Sequence, residues 1–542
     1  MTYPWNYGDL LDAVDTITPG SRAALIHGDR VVNWQDFSRR TNNLARAMLD
    51  GGAAPGEKIA FYMRNRPEYS EGIAAGFKAR LTHVNVNYRY VDDELVYLLD
   101  NSDATVVIYA AEFAHHVGTI REQLPGVKQW IEVPDGHPGL DDTLDYKQLV
   151  AKGAGAPLGI DRSPDDMLFL YTGGTTGMPK GVMWRHQDLW CVTGAGGNPR
   201  IGVEPSADLE SYLARLQQDP SPVNLPLPPI MHGTGLLAVV GAMAHGGTAV
   251  TLPGRSYEAE SALDAIGQHG VTSMTIVGDA FARPMVEALD AEPDRYDISS
   301  LKIISSSGVM WTRAIKAGLL RHNPELVLVD AFSSSEAIGL GTSVMTRDEE
   351  IEVAKFTLGP SCKVFGDDLR EIAPGSGETG MVGVTGFLPV GYYKDQEKTA
   401  RTFPVIDGVR YSIPGDWVKV EADGSLTLLG RGSNCINTAG EKVYPEEVEE
   451  ALKHHESVAD ALVVGLPDDR WGQAITAVVS LNPGYALDEI GLREFARREL
   501  AGYKLPKRIL AKDDLERAPN GKANYVAIRD YAQAELGISS GS

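Results

Sequence analysis

YTGGTTGMPKGV, residues Tyr171 to Val182, follows directly on the apolar run MLFLY that ends at Tyr171. Three glycines and three threonines fill the six positions from Thr172 to Gly177, and Lys180 comes shortly after. Glycines let backbone N–H groups approach an anion closely, the threonine hydroxyls add donors, and the lysine adds charge. An apolar strand that delivers such a tract predicts a phosphate-binding loop. The need for one is sharpened by the formal net charge of -23 over 542 residues, because an anionic ligand must be held here by specific donors against the mean field. The stretch does not fit GxxxxGK[ST], since Pro179 precedes Lys180 and Gly181 follows it, and it does not have GxGxxG spacing either.

Outward from this loop the chain reads as repeated strand–helix units. Lys58 to Met63, His83 to Val86 and Thr105 to Tyr109 are short apolar strands, and Pro67 to Lys78 and Asp92 to Asp100 between them are helix-like. Further strands are predicted at Met167 to Tyr171, Thr248 to Leu252, Ser273 to Val277, Lys302 to Ser305 and Glu325 to Val329. Strands alternating with helices imply parallel sheets covered on both faces. Thr193 to Pro222 is rich in Gly, Pro and Asp and reads as an insertion or lid. From about Thr379 the pattern turns to short strands and glycine turns (ETGMVGVTG, DGSLTLLG), as in a small β-subdomain.

After Gly430 a second unit follows. PEEVEEALKHH (Pro445 to His455) opens on Pro and acids and closes on basic residues, which are helix start and stop signals. Strands at Ala461 to Val464, Ala474 to Ser480 and Arg508 to Lys512 and a helix at Leu487 to Leu500 complete an α+β domain. The expected fold class is therefore α/β: a large N-terminal domain (1–430) of doubly wound sheets with a small β-subdomain, then a small, mobile α+β C-terminal domain (431–542).

Composition bounds the rest. Apolar residues at 43% and charged residues at 23% are ordinary for a globular protein, and the length calls for at least two domains. No apolar run approaches the roughly 18 residues of a transmembrane helix, and the first residues lack a signal-peptide pattern. Cys191, Cys362 and Cys435 are far apart and form no CxxC pair, which fits a reducing cytoplasm. The acidic balance disfavours nucleic acid as a partner.

YTGGTTGMPKG resembles the signature of the adenylate-forming superfamily: acyl-CoA synthetases, adenylation domains of peptide synthetases, and luciferases. The resemblance implies that Thr172, Gly173, Gly174, Thr175, Thr176, Gly177, Met178, Pro179 and Lys180 embrace the phosphates of ATP. DAFSSSEAIG (Asp330 to Gly339) is similar to the family's aromatic-Gly-x-Thr-Glu stretch. It implies a nucleotide site lined by Ser307, Gly308, Ala331, Phe332, Ser333, Ser334 and Ser335, with Phe332 on adenine, and Mg²⁺ held by Glu336 with Thr172. Ser335 replaces the usual Thr, and Ser333 a usual Gly, which makes the backbone there less free. YSIPGDWV and LLGRGSNCINTAGEKVYPEEVE carry over ribose contacts to Asp416 and Arg431, a hinge to Ser433 and a CoA tunnel to Gly440. The hinge position is often Asp or Lys in the family, so Ser433 lacks that charge. PNGKANY matches the loop of the catalytic lysine, here Lys522, and His232 in LPLPPIMHGTG matches a position beside the acyl pocket and tunnel mouth.

The resemblance implies an ATP-dependent acid:CoA ligase that forms acyl-AMP and pyrophosphate, then acyl-CoA and AMP, with the C-terminal domain rotating between steps. Lys522, Glu336, Lys180 and His232 would carry the chemistry, and the co-substrates would be ATP, with Mg²⁺, and coenzyme A. Acyl-pocket walls align with Met231 to Leu236, Ile276 to Arg283 and Ser305 to Trp311, which are mostly small or apolar. A hydrophobic acid is favoured over an amino acid, and GMPKGVMWRHQDLW resembles fatty-acid and steroid-side-chain ligases. Loading of a carrier protein, a luciferase-type oxygenase or a catalytically silent nucleotide- or acyl-binding sensor stays open at this point.

Overall fold

The computed structural model describes residues 5–172, 178–197, 202–218, 221–308, 311–347, 355–431, 434, 436–438, 441–468, 472–500, 502–518 and 521–538. The chain divides into two compact units, Met1–Val353 with Val384–Ser412, and Ala354–Gly383 with Ile413–Ser542.

In the first unit an eight-stranded sheet runs Gly391–Tyr392, Lys180–Arg185, Met167–Thr172, Thr82–Asn85, Lys58–Tyr62, Ala104–Ala110, Gln129–Val133, Leu144–Asp145. The strands from Met167–Thr172 onward are parallel, and Met167–Thr172, Lys58–Tyr62 and Ala104–Ala110 among them carry near-continuous apolar runs, as burial on both faces requires. The crossover helix Pro67–Lys78 starts on its proline, with Glu68 in the first turn and Lys78 in the last. Helix Asp92–Asn101 has three acids in its first turn and buries Leu95, Leu98 and Leu99, the spacing of one helical face. A second sheet runs Arg30–Asn33, Ala23–His27, Thr248–Thr251, Val223–Pro226, Ser273–Ile276, Ile303–Ser307, Val327–Phe332, Gly341–Met345, antiparallel only at its two ends. Ile303–Ser307 and Val327–Phe332 run further towards their C-terminal ends than the sequence pattern predicts, because the polar tail of one stays in register with its neighbour (Ser307 opposite Ala331).

The stretch from 193 to 222 differs from the expected insertion. Asp208 and Ser211 cap a helix, Leu209–Leu216, in a reciprocal capping box. Tyr212 on that helix is fully buried, its ring 5.4 Å from Trp190 and its hydroxyl donating to the Ala244 carbonyl at 2.7 Å. One aromatic residue in a Gly/Pro-rich tract thus pins the segment into the core. Tyr212→Ala should cost about 3–5 kcal/mol in chemical denaturation, the range for deleting a buried aromatic. A loss below about 1 kcal/mol would restore the separable lid.

In the second unit an antiparallel sheet runs Cys362–Phe365, Thr379–Val384, Asp416–Val420, Ser425–Arg431, Lys355–Leu358, so the β-rich part begins well before Thr379. The C-terminal sheet pairs Val458–Asp468 with Gly472–Leu481 along their length and adds Arg508–Ala511 in parallel. Alternation along Val458–Asp468 feeds two cores. Ala461 and Val463 face helices Pro445–Lys453 and Glu489–Ala496, while Leu462, Val464 and Leu466 face helix Tyr525–Leu536 through Ile528 and Ala532. Among the described residues no helix is long and apolar enough to cross a membrane.

Candidate active site

The two strands that flank the predicted phosphate loop form a β-hairpin. Met167–Thr172 pairs antiparallel with Lys180–Arg185, and Thr172 stands opposite Lys180. Gly173, Gly174, Thr175, Thr176 and Gly177 lie outside the described residues. The loop's base is fastened on both sides. Tyr97 donates its hydroxyl to the Pro179 carbonyl at 3.2 Å, and the Tyr171 hydroxyl donates to Asn101 at 2.9 Å. Met178 is exposed at the end of the turn.

Lys180 does not stand alone. Its ammonium is 3.2 Å from Asp395, which also caps helix Gln396–Thr402 by accepting the Lys398 N–H at 2.9 Å. That backbone bond pulls the Asp395 carboxyl below its ordinary pKa, against partial desolvation, and Lys180 adds to the effect. The Lys398 ammonium sits 4.1 Å from the centroid of the Tyr392 ring. Burial lowers its pKa, and the charges of Glu336 and Asp395 oppose this. Tyr392 in turn donates its hydroxyl to Glu336 Oε1 at 2.7 Å. Gly391–Tyr392 pairs with the Lys180 strand, so one sheet edge carries the lysine of the phosphate loop and the tyrosine that holds the predicted metal ligand. Glu336 is only 8% exposed, and its backbone is held as firmly as its carboxylate. Ser412 donates to the Glu336 carbonyl at 2.6 Å and Trp184 to the Ser335 carbonyl at 2.9 Å.

Ser307, Gly308, Ala331 and Phe332 lie at the C-terminal ends of two adjacent parallel strands, where open α/β sheets place their ligands. Ser333, which takes the place of a usual glycine, does not need a positive φ, and its hydroxyl accepts the Gly339 N–H at 3.1 Å. Ser334 closes the same loop through Ala337. Behind it, burial raises the Asp330 carboxyl to about 6 against the pull of Lys316, 3.2 Å away, whose ammonium also lies 5.4 Å from the Trp311 ring centroid.

The acyl-side loop is tied to the phosphate strand by two asparagines that the sequence reading missed. Asn85 is buried at the end of its strand. Its side-chain amide acts as a peptide group, accepting the Tyr171 N–H at 2.7 Å and donating to the carbonyls of Tyr171 (2.8 Å) and Met231 (2.6 Å). Asn65 accepts the Ile230 N–H at 2.7 Å and donates to the Pro228 carbonyl at 3.1 Å. Together they set the stretch that leads into His232, the residue before helix Gly233–Ala244. Gly235 is required there, since a Cβ would lie 2.5 Å from the Pro229 carbonyl oxygen. The only local sign of Asn85 is a polar residue where a strand's apolar pattern ends.

Of the residues expected along the acyl side, Met231, Leu236, Ile276, Val277, Phe281 and Trp311 are buried. Asp279, the acid inside IVGDAFAR, is already engaged. Its carboxylate accepts the Thr312 N–H and hydroxyl at 2.9 and 2.8 Å and lies 3.1 Å from Arg283.

In the second unit Asp416 and Arg431 stand opposite one another in a β-hairpin. Asp416 is buried, and Gly415 before it takes φ +95°. Lys522 is exposed on the loop that precedes helix Tyr525–Leu536. Ser433 and Gly440 lie outside the described residues.

Two mixed sheets in a large α/β part, followed by a smaller α+β part, define the adenylate-forming enzyme fold. The structure of an anthranilate CoA ligase, AuaEII, with anthranoyl-AMP matches it with a TM-score of 0.83 at 20% identity over 99% of both chains. The ATP-bound MatB of Rhodopseudomonas palustris matches with a TM-score of 0.81 at 21% identity over 98% and 99%. The chain belongs to the AMP-binding enzyme family: that family's model matches residues 13–390, and the model of the AMP-binding enzyme C-terminal domain matches residues 447–522. A 3-oxocholest-4-en-26-oate–CoA ligase of Rhodococcus rhodochrous is 39% identical over 534 residues, 97% of this chain and 95% of that protein. A medium/long-chain-fatty-acid–CoA/3-oxocholest-4-en-26-oate–CoA ligase of Mycobacterium tuberculosis is 40% identical over 547 residues, 98% and 97%.

Proposed function

We propose that this chain is an ATP-dependent acyl-CoA ligase whose substrate is a hydrophobic acid, a medium or long fatty acid or a steroid side-chain acid. The observation that carries the reading is the chain of contacts Lys180–Asp395–Lys398–Tyr392–Glu336, which gathers cations and a held carboxylate beside the phosphate hairpin in a protein of net charge -23. The acid's class is supported by the apolar character of the buried side chains in the acyl-side segments, by the engagement of Asp279 with Thr312 and Arg283, and by what the two relatives act on.

In the first step the substrate carboxylate attacks the α-phosphorus and pyrophosphate leaves. Both reactants are anionic, so the enzyme's tasks are positioning and charge neutralisation. Lys180 and Lys398 offset charge on the leaving group, Phe332 supports the adenine, and Asp416 and Arg431 take the ribose. Lys522 neutralises the carboxylate and α-phosphate as they approach. Glu336 and Thr172 suit Mg²⁺ by their chemistry, a carboxylate and a hydroxyl, since magnesium bound with a nucleotide needs only one or two protein oxygens. When bound, Mg²⁺ would supply further charge neutralisation on the phosphates. In the second step the CoA sulfur attacks the acyl carbonyl and AMP leaves, with His232 and Gly440 beside the pantetheine path. The C-terminal part, 431–542, turns about Ser433 between the steps. The cytoplasm, where thiols stay reduced, is the compartment this chemistry suits.

The test is a panel of acids assayed for AMP formation with and without CoA: a saturated fatty-acid series, a steroid side-chain acid, benzoate and phenylalanine. Thioester from the fatty or steroid acids, strictly dependent on CoA, is the expected result. Preference for phenylalanine would overturn the substrate class, and acyl-AMP that passes only to a carrier protein would overturn the acceptor.

A further inference from the structure

We propose that Asp460–Arg517 and Glu449–Tyr525 form a two-ended clamp that positions Lys522 for adenylation. The inference rests on the role just given to Lys522, and adds the residues that present it.

A lysine is a point charge on a flexible four-carbon stem, and holding it costs side-chain entropy. If its backbone were also loose, the ammonium would rarely be in place. The backbone is not loose. The Ala518 N–H donates to the Lys522 carbonyl at 2.9 Å and the Gly521 N–H to the Ala518 carbonyl at 2.7 Å, with Gly521 at φ +72°. Upstream of these two bonds, Arg517 spends its guanidinium on two different elements. Two of its N–H groups grip the Asp460 carboxylate at 2.6 and 2.8 Å, and a third reaches the Gly521 carbonyl at 3.2 Å. One planar fork therefore joins the strand Val458–Asp468 to the residue directly before Lys522. Burial would raise the Asp460 carboxyl, but Arg517 holds it below its ordinary range, so the pair stays charged.

Downstream the grip repeats. Asn524 caps helix Tyr525–Leu536 through the Ala527 N–H at 3.2 Å. The Tyr525 hydroxyl donates to Glu449 Oε2 at 3.3 Å, while Glu449 Oε1 accepts the Val463 N–H at 2.9 Å. Lys522 thus stands exposed between two anchors fixed to the same strand, Asp460 directly and Glu449 through Val463. A salt bridge that only stabilised this unit would influence both half-reactions alike. A clamp on Lys522 affects only the half-reaction that uses it.

The experiment uses the full chain. Adenylation is followed as acid-dependent exchange of labelled pyrophosphate into ATP with a medium-chain fatty acid, and the second half as CoA thioester formation from preformed acyl-AMP. Arg517→Ala should lower kcat for exchange by roughly 10- to 100-fold, the cost of a misplacement of about 1 Å, with KM for ATP and acid changed by less than about threefold. Thioester formation from acyl-AMP should stay within about threefold of wild type. Arg517→Lys should rescue little, because an ammonium cannot make the bidentate grip. Asp460→Asn, which keeps the shape, should show the same split more weakly and serves if Arg517→Ala does not fold. Equal losses in both halves, or wild-type exchange in Arg517→Ala, would overturn the clamp. Lys522→Ala run in parallel separates the two ideas: if it keeps wild-type exchange, the role of Lys522 falls and the clamp with it, and if it loses exchange while Arg517→Ala does not, only the clamp falls.

Discussion

Lys522→Ala should lose acid-dependent pyrophosphate exchange by a factor on the order of 10³, while transfer from preformed acyl-AMP to CoA stays within about threefold. The size follows from charge. One ammonium about 4 Å from an anion is worth about 4 kcal/mol at an effective dielectric of about 20, and each 1.36 kcal/mol is about tenfold in rate. Two anions meet in the first half-reaction, whereas in the second the acyl carbonyl is neutral and the leaving group is a phosphate already formed. The half-reactions must therefore part company. Equal loss in both would mean that Lys522 only holds the fold of its unit, and its exposed position already argues against that.

Glu336→Gln should lower kcat/KM for ATP by about 10²-fold and shift the magnesium requirement upward. Gln keeps the volume and can still accept the Tyr392 hydroxyl, so the contact at 2.7 Å and the loop held by Ser412 and Trp184 should survive. What is lost is one negative charge facing a cation. A direct readout besides turnover is Mn²⁺ binding in the presence of ATP, which should weaken in the variant. Unchanged Mn²⁺ affinity with unchanged kinetics would reduce Glu336 to a packing residue.

Local pattern carried much of the architecture. Helix Pro67–Lys78 was readable because a proline at its start, an acid in its first turn and a lysine at its end are all local signals. The phosphate hairpin was readable as a strand feeding a Gly/Thr tract, although its return strand, Lys180–Arg185, was not, since KGVMWR has no clean alternation. Residues whose meaning lies in distant contacts were invisible. Tyr392, Asp395 and Lys398 sit in GYYKDQEKT, where no local signal points to Glu336, which Tyr392 reaches across 56 residues. Arg517 meets Asp460 across 57 residues, and Tyr212 reaches Ala244 across 32. Asn85 makes three buried bonds across the sheet to Tyr171 and Met231 that no spacing rule encodes. The common cause is physical. Apolar periodicity reports which face of an element is buried, while a buried polar side chain is satisfied by whichever partner the fold brings to it.

The most direct test of the central claim omits CoA. The enzyme is mixed with a hydrophobic acid and MgATP, and the products are separated before and after CoA is added. Enzyme-bound acyl-AMP with an equal amount of pyrophosphate is expected at first, then its conversion to acyl-CoA and AMP. Cleavage of ATP to ADP and phosphate, or acyl-CoA formed with no adenylate before it, would contradict the account.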